Sequence, residues 1–253
     1  MPHQMQKIIA SINRQFYQNI AADFSATRQS PWAGWQILLQ LIKGNKNPNI
    51  LDLACGNGRL CGFLYEQNKN INYLGLDADQ KLLEIAAKEF PQGEFRQHDL
   101  ISNQPWPTDE RKFDLICIFG LTHHLPDDQQ IIDILSRNKK LLKTNGHIVI
   151  SNWQFASEPE RFRKNTWTLK KIISSKKINL FTKLKLIYLL SKMGSNEFLL
   201  DWQQGSAVRY SRHIDQEQME EIAEAADLQI KENFFADGKS NKLNHYFVLS
   251  AIK

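Results

Sequence analysis

Cysteine is scarce and scattered in this sequence. Its three cysteines, Cys55, Cys61 and Cys117, are odd in number and include no CxxC pair. Such a set does not form a disulfide framework, and the lack of CxxC and HxH spacings argues against a zinc site. We therefore expect no metal site and a reducing, cytoplasmic environment.

Long apolar runs are also missing. No window approaches the roughly 18 consecutive apolar residues of a membrane-spanning helix. The first residues, MPHQMQKIIASINRQF, lack the apolar region and small-residue cleavage site of a signal peptide. We expect no integral membrane association. The apolar fraction of 42% is nevertheless ample for a packed core, so global disorder is excluded. At 253 residues, the chain suits one domain over 1–253.

Short apolar runs alternate with amphipathic helical stretches from Asn49 onward. The predicted strands are NILDLAC, NYLGLDAD, GEFRQHDL, FDLICIFG and TNGHIVISNW, followed by LQIKENFFAD and LNHYFVLSAIK. Helical periodicity separates the first five, which predicts parallel pairing. The last two are joined by a link too short for a parallel return. We therefore predict an α/β fold with a Rossmann-like, doubly wound, seven-stranded mixed sheet whose last strand is antiparallel.

Two further segments flank this pattern: a predicted N-terminal helical cap over 1–48 and a predicted basic helical insertion over 155–208. Between Glu158 and Lys192 there are ten Lys or Arg and two Glu, a net charge of +8 in a chain of +5. The segment therefore suits a polyanion or another anionic substrate. A solvated face, a substrate lid and a membrane-surface helix through Leu180, Leu184 and Ile187 are the alternatives.

The stretch ILDLACGNGRL predicts a ligand-binding loop between a strand and a helix. Small residues let a ligand approach the backbone, and a helix N-terminus favours an anionic group. Alone, this loop fits a dinucleotide, a flavin or S-adenosylmethionine. Asp77 ends the second strand 19 residues beyond Gly58, where a carboxylate accepts ribose hydroxyls. Asp99 is a candidate for an adenine amine. Turn or cap roles are the alternatives for both aspartates.

In order and spacing, ILDLACGNGRL, YLGLDAD, FRQHDL, FDLICIFGLTHHLPD and LLKTNGHIVIS resemble the motifs of class I S-adenosylmethionine-dependent methyltransferases. The resemblance implies S-adenosylmethionine as the cofactor. It places Gly56 and Gly58 at the methionine moiety and Gly120 and Leu121 at the methyl group. Ala54 is a departure, since close relatives often carry Gly there. The implied cofactor-binding set is Asp52, Ala54, Gly56, Asn57, Gly58, Asp77, Ala78, Asp99, Leu100, Phe119, Gly120 and Leu121.

The stretch FYQNIAADFSATRQSPWAGW resembles the opening of the tRNA wobble-uridine methyltransferases, which esterify the carboxylate of 5-carboxymethyluridine. Val208-Arg209-Tyr210 resembles a later Arg-Tyr motif of that family. Ser211 and Arg212 depart from its usual continuation. The resemblance implies a tRNA substrate and raises the question of an activating subunit.

A carboxylate acceptor is ionised near neutral pH, so it needs a cation rather than a general base. We predict Arg28 and Arg209 as the catalytic cations, and a substrate-binding set of Tyr17, Trp32, His124, Trp153 and Tyr210. The pair His123 and His124 suits a general base for a hydroxyl acceptor, but a loop-fixing role is preferred. The alternatives are a quinone- or polyketide-type small-molecule methyltransferase and a non-catalytic cofactor-binding protein.

Overall fold

The computed structural model describes residues 3–27, 30–102, 104–155, 162, 164–202 and 207–252, with the side chains of residues 3, 21–25 and 202 left out. The helices are α1 His3–Thr27, α2 Gln36–Leu41, α3 Arg59–Gln67, α4 Gln80–Glu89, α5 Asp128–Lys139, α6 Leu169–Ser174, α7 Leu180–Leu190 and α8 Gln216–Ala225. The strands are β1 Asn49–Leu53, β2 Asn72–Asp77, β3 Glu94–Gln97, β4 Phe113–Phe119, β5 Leu142–Trp153, β6 Glu197–Trp202, β7 Ala207–Arg212, β8 Leu228–Ala236 and β9 Asn244–Ala251. None of the helices in these ranges is long and apolar enough to span a membrane.

Seven of these strands form one sheet in the order β3-β2-β1-β4-β5-β9-β8. The first five pair in parallel, while β9 lies between β5 and β8 and is antiparallel to both. The predicted doubly wound mixed sheet with a reversed last strand is thus confirmed. Apolar side chains cover both of its faces, as the continuous apolar runs of β1 and β4 require.

Side-chain caps set where several helices begin. Asp79 precedes α4 and accepts from the backbone N–H groups of Lys81 and Leu82. Asp127, rather than Asp128, precedes α5 and accepts from Gln129 N. These aspartates satisfy N–H groups that a helix leaves without intrahelical partners. Asp79 therefore caps the N-terminus of α4.

The predicted helical insertion contains strands as well as helices. Within its described part lie α6 and α7, but also β6, which pairs antiparallel with β7 in a separate two-stranded sheet. A six-residue run such as EFLLDW is too short for its periodicity to separate strand from helix. Side chains of α1, α6, α7 and β7 share a core that includes Met5, Ile9, Leu186 and Tyr210.

Candidate functional site

A cavity of about 420 Å³ lies outside the carboxyl ends of β1, β2 and β4. Ligands bind at this edge in open α/β sheets, because the loops that follow parallel strands meet there. Its lining includes eleven of the twelve predicted cofactor-binding residues: Asp52, Ala54, Gly56, Asn57, Asp77, Ala78, Asp99, Leu100, Phe119, Gly120 and Leu121.

Gly58 is the exception, since it does not line the cavity. It precedes α3 with φ +74°, and a Cβ there would lie 2.8 Å from Ala86 Cβ and 3.0 Å from the Phe95 ring. The residue is therefore small because α3 must pack closely against α4 and β3. The Gly-rich pattern could not distinguish this packing role from ligand contact.

Asp77 links the end of β2 to the glycine loop. Its Oδ2 accepts from Gly56 N at 2.8 Å, and its Oδ1 accepts from Asp79 N at 2.9 Å. Burial raises the pKa of Asp77, while these backbone donors oppose that rise. A carboxylate oxygen has a further lone pair, so each can still accept a hydroxyl hydrogen.

The loop leaves space for a ligand beside this carboxylate. Gly56 has φ +56°, and no atom lies within 4 Å of where its Cβ would be. Ala54 adopts φ +58°, a left-handed conformation that costs a non-glycine residue about 1 kcal/mol or more. An open backbone and a buried acceptor are what a nucleoside with ribose hydroxyls requires, so the residues fit the predicted cofactor.

Asp52 is buried behind the loop and accepts a 2.5 Å hydrogen bond from the Tyr73 hydroxyl. Burial raises the pKa of Asp52 to about 7, and the charge of Asp77 adds to the rise. Ionisation of either carboxyl group therefore disfavours ionisation of the other.

Asp99 lies two residues beyond β3, at the rim of the cavity. Its Oδ2 is paired with an Arg14 Nη of α1 at 2.9 Å, and its Oδ1 accepts from Ile101 N at 3.2 Å. It thus has a turn role as well as a position in the cavity wall. The ion pair links α1 to the loop that follows β3.

The predicted acceptor-binding residues divide between cavity and core. Arg209 of β7 lines the cavity, and its guanidinium carbon lies 4.5 Å from the ring centre of Trp153. Tyr210 does not line it: the side chain is fully buried and its hydroxyl donates to Glu197 Oε1. Successive side chains of a strand point to opposite faces, so the predicted substrate contact of Tyr210 is corrected.

Two hydrogen bonds hold the His124 ring. Its Nδ1 lies 3.0 Å from the Tyr210 carbonyl oxygen, which only accepts, so this nitrogen carries the hydrogen. Its Nε2 then accepts from the Tyr17 hydroxyl at 2.7 Å. Burial, together with the charge of Arg209, lowers the pKa of His124 to about 3. Both ring nitrogens of the neutral imidazole are therefore engaged, an arrangement that suits the loop-fixing role; the predicted substrate contact of His124 stays a prediction.

His123 is also buried, and its pKa is well below the usual value because burial disfavours the charged ring. The ring meets Trp153 edge-on at 5.3 Å between centroids. Both histidines are therefore weak bases at the end of the cavity that Arg209 lines.

Trp32 lines the cavity close to Gly120. The Arg59 guanidinium carbon lies 5.1 Å from its ring centre, and a Cβ on Gly120 would be 4.0 Å from its edge. Arg59 donates to the Ser30 carbonyl oxygen at 2.6 Å, which fixes the segment before Trp32. Arg28, the other predicted catalytic cation, lies outside the described residues.

Further cavity residues were not predicted. One set comes from α1 and recurs at helical spacing beside the predicted Tyr17, a pattern that could have revealed it: Gln6, Ala10, Asn13, Arg14 and Gln18. The other comes from the insertion, where no sequence signal marks it: Phe155, Phe162, Asn165, Leu200 and Asp201. Among the described residues, no cluster of three or more potential metal ligands occurs.

Comparison with known proteins identifies the domain. Residues 51–148, which include β1 to β4 and most of β5, match a family model described as "Methyltransferase domain". The chain carries a class I S-adenosylmethionine-dependent methyltransferase domain. S-adenosylmethionine is the cofactor of such a domain, so the predicted class I methyltransferase family and the predicted cofactor are confirmed.

The methyltransferase domain has relatives of two kinds. The tRNA (carboxymethyluridine(34)-5-O)-methyltransferase of Mus musculus is 27% identical over 57% of this chain and 20% of its own length. The demethylmenaquinone methyltransferase of Thermotoga maritima is 29% identical over 51% of this chain and 57% of its own length. The chain therefore spans about a fifth of the mouse relative and less than two thirds of the other.

A solved structure agrees with the fold. The SAM-dependent methyltransferase from Methanosarcina mazei superposes with a TM-score of 0.62 at 14% identity, over 86% of this chain and 98% of the other. Because only 14% of the residues are identical, this similarity is evidence for the fold alone.

Proposed function

We propose that this protein transfers a methyl group from S-adenosylmethionine to the carboxylate of a modified wobble uridine in tRNA. The observation that carries this proposal is the cation at the acceptor end of the cavity: Arg209, 6% exposed, lines a cavity whose two neighbouring histidines are weak bases. The wobble-uridine enzyme of Mus musculus, matched over 57% of this chain, supports the choice of acceptor.

The residues suit a carboxylate better than a hydroxyl. A carboxylate acceptor carries its charge at neutral pH, so no group of the protein has to remove a proton. Arg209 offers a planar set of donors that matches two carboxylate oxygens. Its burial between Phe16 and Trp153 strengthens the interaction by excluding water.

The bound cofactor supplies an electrophilic methyl group on a sulfonium. The protein has to align the acceptor oxygen in line with that group and keep water out, which accounts for much of the acceleration in such displacements. Tyr17, hydrogen-bonded to His124, and Leu121 line the same cavity as the loop and Arg209.

The uridine base and the tRNA backbone need further contacts. Trp32 and Trp153 line the cavity on two sides, and stacking on an aromatic ring is worth about 1–3 kcal/mol per base. The net charge of +8 over residues 158–192 attracts the tRNA phosphates at long range. A tRNA substrate would also place the protein in the cytoplasm.

The test uses purified protein, labelled S-adenosylmethionine and tRNA that carries 5-carboxymethyluridine. We expect label in that nucleoside, and about a 100-fold or greater loss of kcat/KM for Arg209→Gln, since charged hydrogen bonds are worth about 1.5–3 kcal/mol each. Arg137→Gln, outside the cavity lining, is the matched control. Normal transfer by Arg209→Gln, with cofactor affinity unchanged in both variants, would refute the assigned role.

A second candidate is methyl transfer to a small aromatic acceptor. It is favoured by the aromatic wall formed by Trp153, Phe155 and Phe162, whose neighbouring ring centres lie 4.9 and 5.6 Å apart. The demethylmenaquinone methyltransferase of Thermotoga maritima supports it as well. Label in a hydroxynaphthoquinol analogue but not in tRNA would select this candidate. Binding of the cofactor without transfer to RNA or extract would select a non-catalytic role.

A further inference from the structure

Five large apolar side chains are exposed together on α6 and α7. They form the α6–α7 face: Leu169 (51% exposed), Ile173 (59%), Leu180 (72%), Phe181 (68%) and Leu184 (57%). Leu169 and Ile173 are four residues apart on α6, as are Leu180 and Leu184 on α7. Each pair therefore shares one side of its helix. Lys183 Nζ donates to the Ile173 carbonyl oxygen at 2.7 Å, which holds α7 beside the end of α6.

The opposite sides of these helices are firmly packed. Ile172, Leu186 and Leu189 are fully buried in the core shared with α1 and β7. Leu186 and Leu189 lie roughly half a helical turn away from the exposed side of α7. The exposed residues thus belong to a fixed helix pair and are not inward-facing side chains of a loosely attached segment.

All charged residues in the sequence around this apolar face are Lys or Arg. Residues 161–196 contain no Asp or Glu. Lys170 and Lys176 are exposed, and the Lys185 amine lies 4.6 Å from the ring centre of Phe181. Lysines whose methylene chains cover apolar surface while their amines remain near water are typical of helices at a membrane interface.

We propose that the α6–α7 face docks on the surface of a lipid bilayer that contains anionic phospholipids. An anionic bilayer complements both features, because its headgroups attract lysines while Leu180, Phe181 and Leu184 enter the acyl boundary. A phosphodiester backbone matches the lysines but leaves the apolar side chains in water. This inference does not depend on which acceptor is methylated, and it requires no membrane-spanning segment.

The docked face would stand beside the acceptor end of the cavity. Trp167 N, just before α6, donates to the Leu199 carbonyl oxygen at 2.8 Å, and Thr166 bridges to Leu200. Leu200 and Asp201 line the cavity. The same β6 strand therefore supports the α6–α7 helices and forms part of the wall around the acceptor.

The test is co-sedimentation of the full chain with vesicles of phosphatidylcholine alone or mixed with phosphatidylglycerol. We expect binding to the mixed vesicles, weakened at least roughly tenfold by Leu180→Ser/Phe181→Ser and by Lys170→Gln/Lys176→Gln. Phe235→Ser/Ile252→Ser, which removes other exposed apolar side chains, and Lys43→Gln/Lys46→Gln are the matched controls and should bind normally.

Three results would overturn the proposal. The first is no binding of the wild-type chain to mixed vesicles, and the second is equal weakening by the control variants. The third is a wild-type dimer that Leu180→Ser/Phe181→Ser converts to a monomer, which would show that a second copy covers the face. Loss of tRNA affinity in the lysine variant alone, without any vesicle binding, would assign the surface to RNA. Methyl transfer to soluble substrates, measured in parallel, tests the proposed function separately.

Discussion

At the scale of single residues, neighbouring aspartates have different tasks. Asp79 accepts from two N–H groups at the start of α4, so its side chain caps that helix. Asp77, two residues earlier, lines the cavity and accepts from Gly56 N across the loop. The sequence predicts both roles, since a carboxylate at the end of β2 faces the ligand edge of the sheet while the residue before a helix caps it.

Replacing Asp77 with Asn should weaken cofactor binding by about 10- to 100-fold, because a charged acceptor of hydroxyl hydrogens is lost. Calorimetric titration with S-adenosylhomocysteine measures this. Asp133→Asn, an exposed carboxylate on α5, is the control and should bind normally. Unchanged affinity of Asp77→Asn would contradict the assigned ribose site.

The buried Asp52 should leave a signature in the pH dependence of stability. Its folded pKa is raised to about 7, against about 3.9 in an unfolded chain. Between these values the folded protein holds the proton and the unfolded chain does not, so the free energy of unfolding falls as pH rises. Above about pH 7 the loss from this group is complete.

The Asp52 effect is best measured as a difference between wild type and Asp52→Asn in urea unfolding from pH 4 to 8. His124, whose pKa is lowered to about 3, acts in the opposite sense over part of this range. We expect Asp52→Asn to gain on the order of 2–4 kcal/mol relative to wild type as pH rises. A constant difference across the range would refute this account of Asp52.

At the scale of elements, α1 completes the site. It closes one side of the cavity and joins β7 through Asn13, whose Oδ1 accepts from Tyr210 N at 2.8 Å. The same side chain approaches His124, where Nδ2 donates to the carbonyl oxygen at 3.4 Å. A buried amide thereby links the N-terminal helix, β7 and the histidine loop.

Asn13→Ala should lower the free energy of unfolding by about 1–3 kcal/mol, because the buried N–H of Tyr210 would lose its acceptor. Gln15→Ala, on the exposed side of α1, provides the comparison and should change stability by less than about 0.5 kcal/mol. Urea unfolding of both variants measures the difference, and equal stabilities would contradict the linking role of Asn13.

The contrast between predicted and unpredicted elements has a physical cause. Runs such as NILDLAC and FDLICIFG predict strands because parallel strands are buried on both faces, and their order then locates the ligand edge. By contrast, β6 and β7 depend on a pairing with each other that no local pattern encodes. The cavity residues of β6 were therefore missed, and Tyr210 was assigned to the wrong face of β7.

At the scale of the whole molecule, two parts meet at the cavity. The sheet contributes the cofactor side through the loops after β1, β2 and β4, and it is the part whose function a family model covers. Outside the sheet, α1, β6 and β7 contribute Tyr17, Leu200 and Arg209 to the lining. The cofactor was predictable because its residues follow strand ends, whereas the acceptor side is assembled from distant segments that surround one arginine.

The most direct test of methyl transfer to wobble uridine is nucleoside mass spectrometry of tRNA from cells with and without this gene. We predict that cells without it lose the methyl ester of 5-carboxymethyluridine and accumulate the free acid. Expression of the wild-type chain, but not of Asp77→Asn, should restore the ester. A wobble-uridine profile unchanged by loss of the gene would contradict the proposed function.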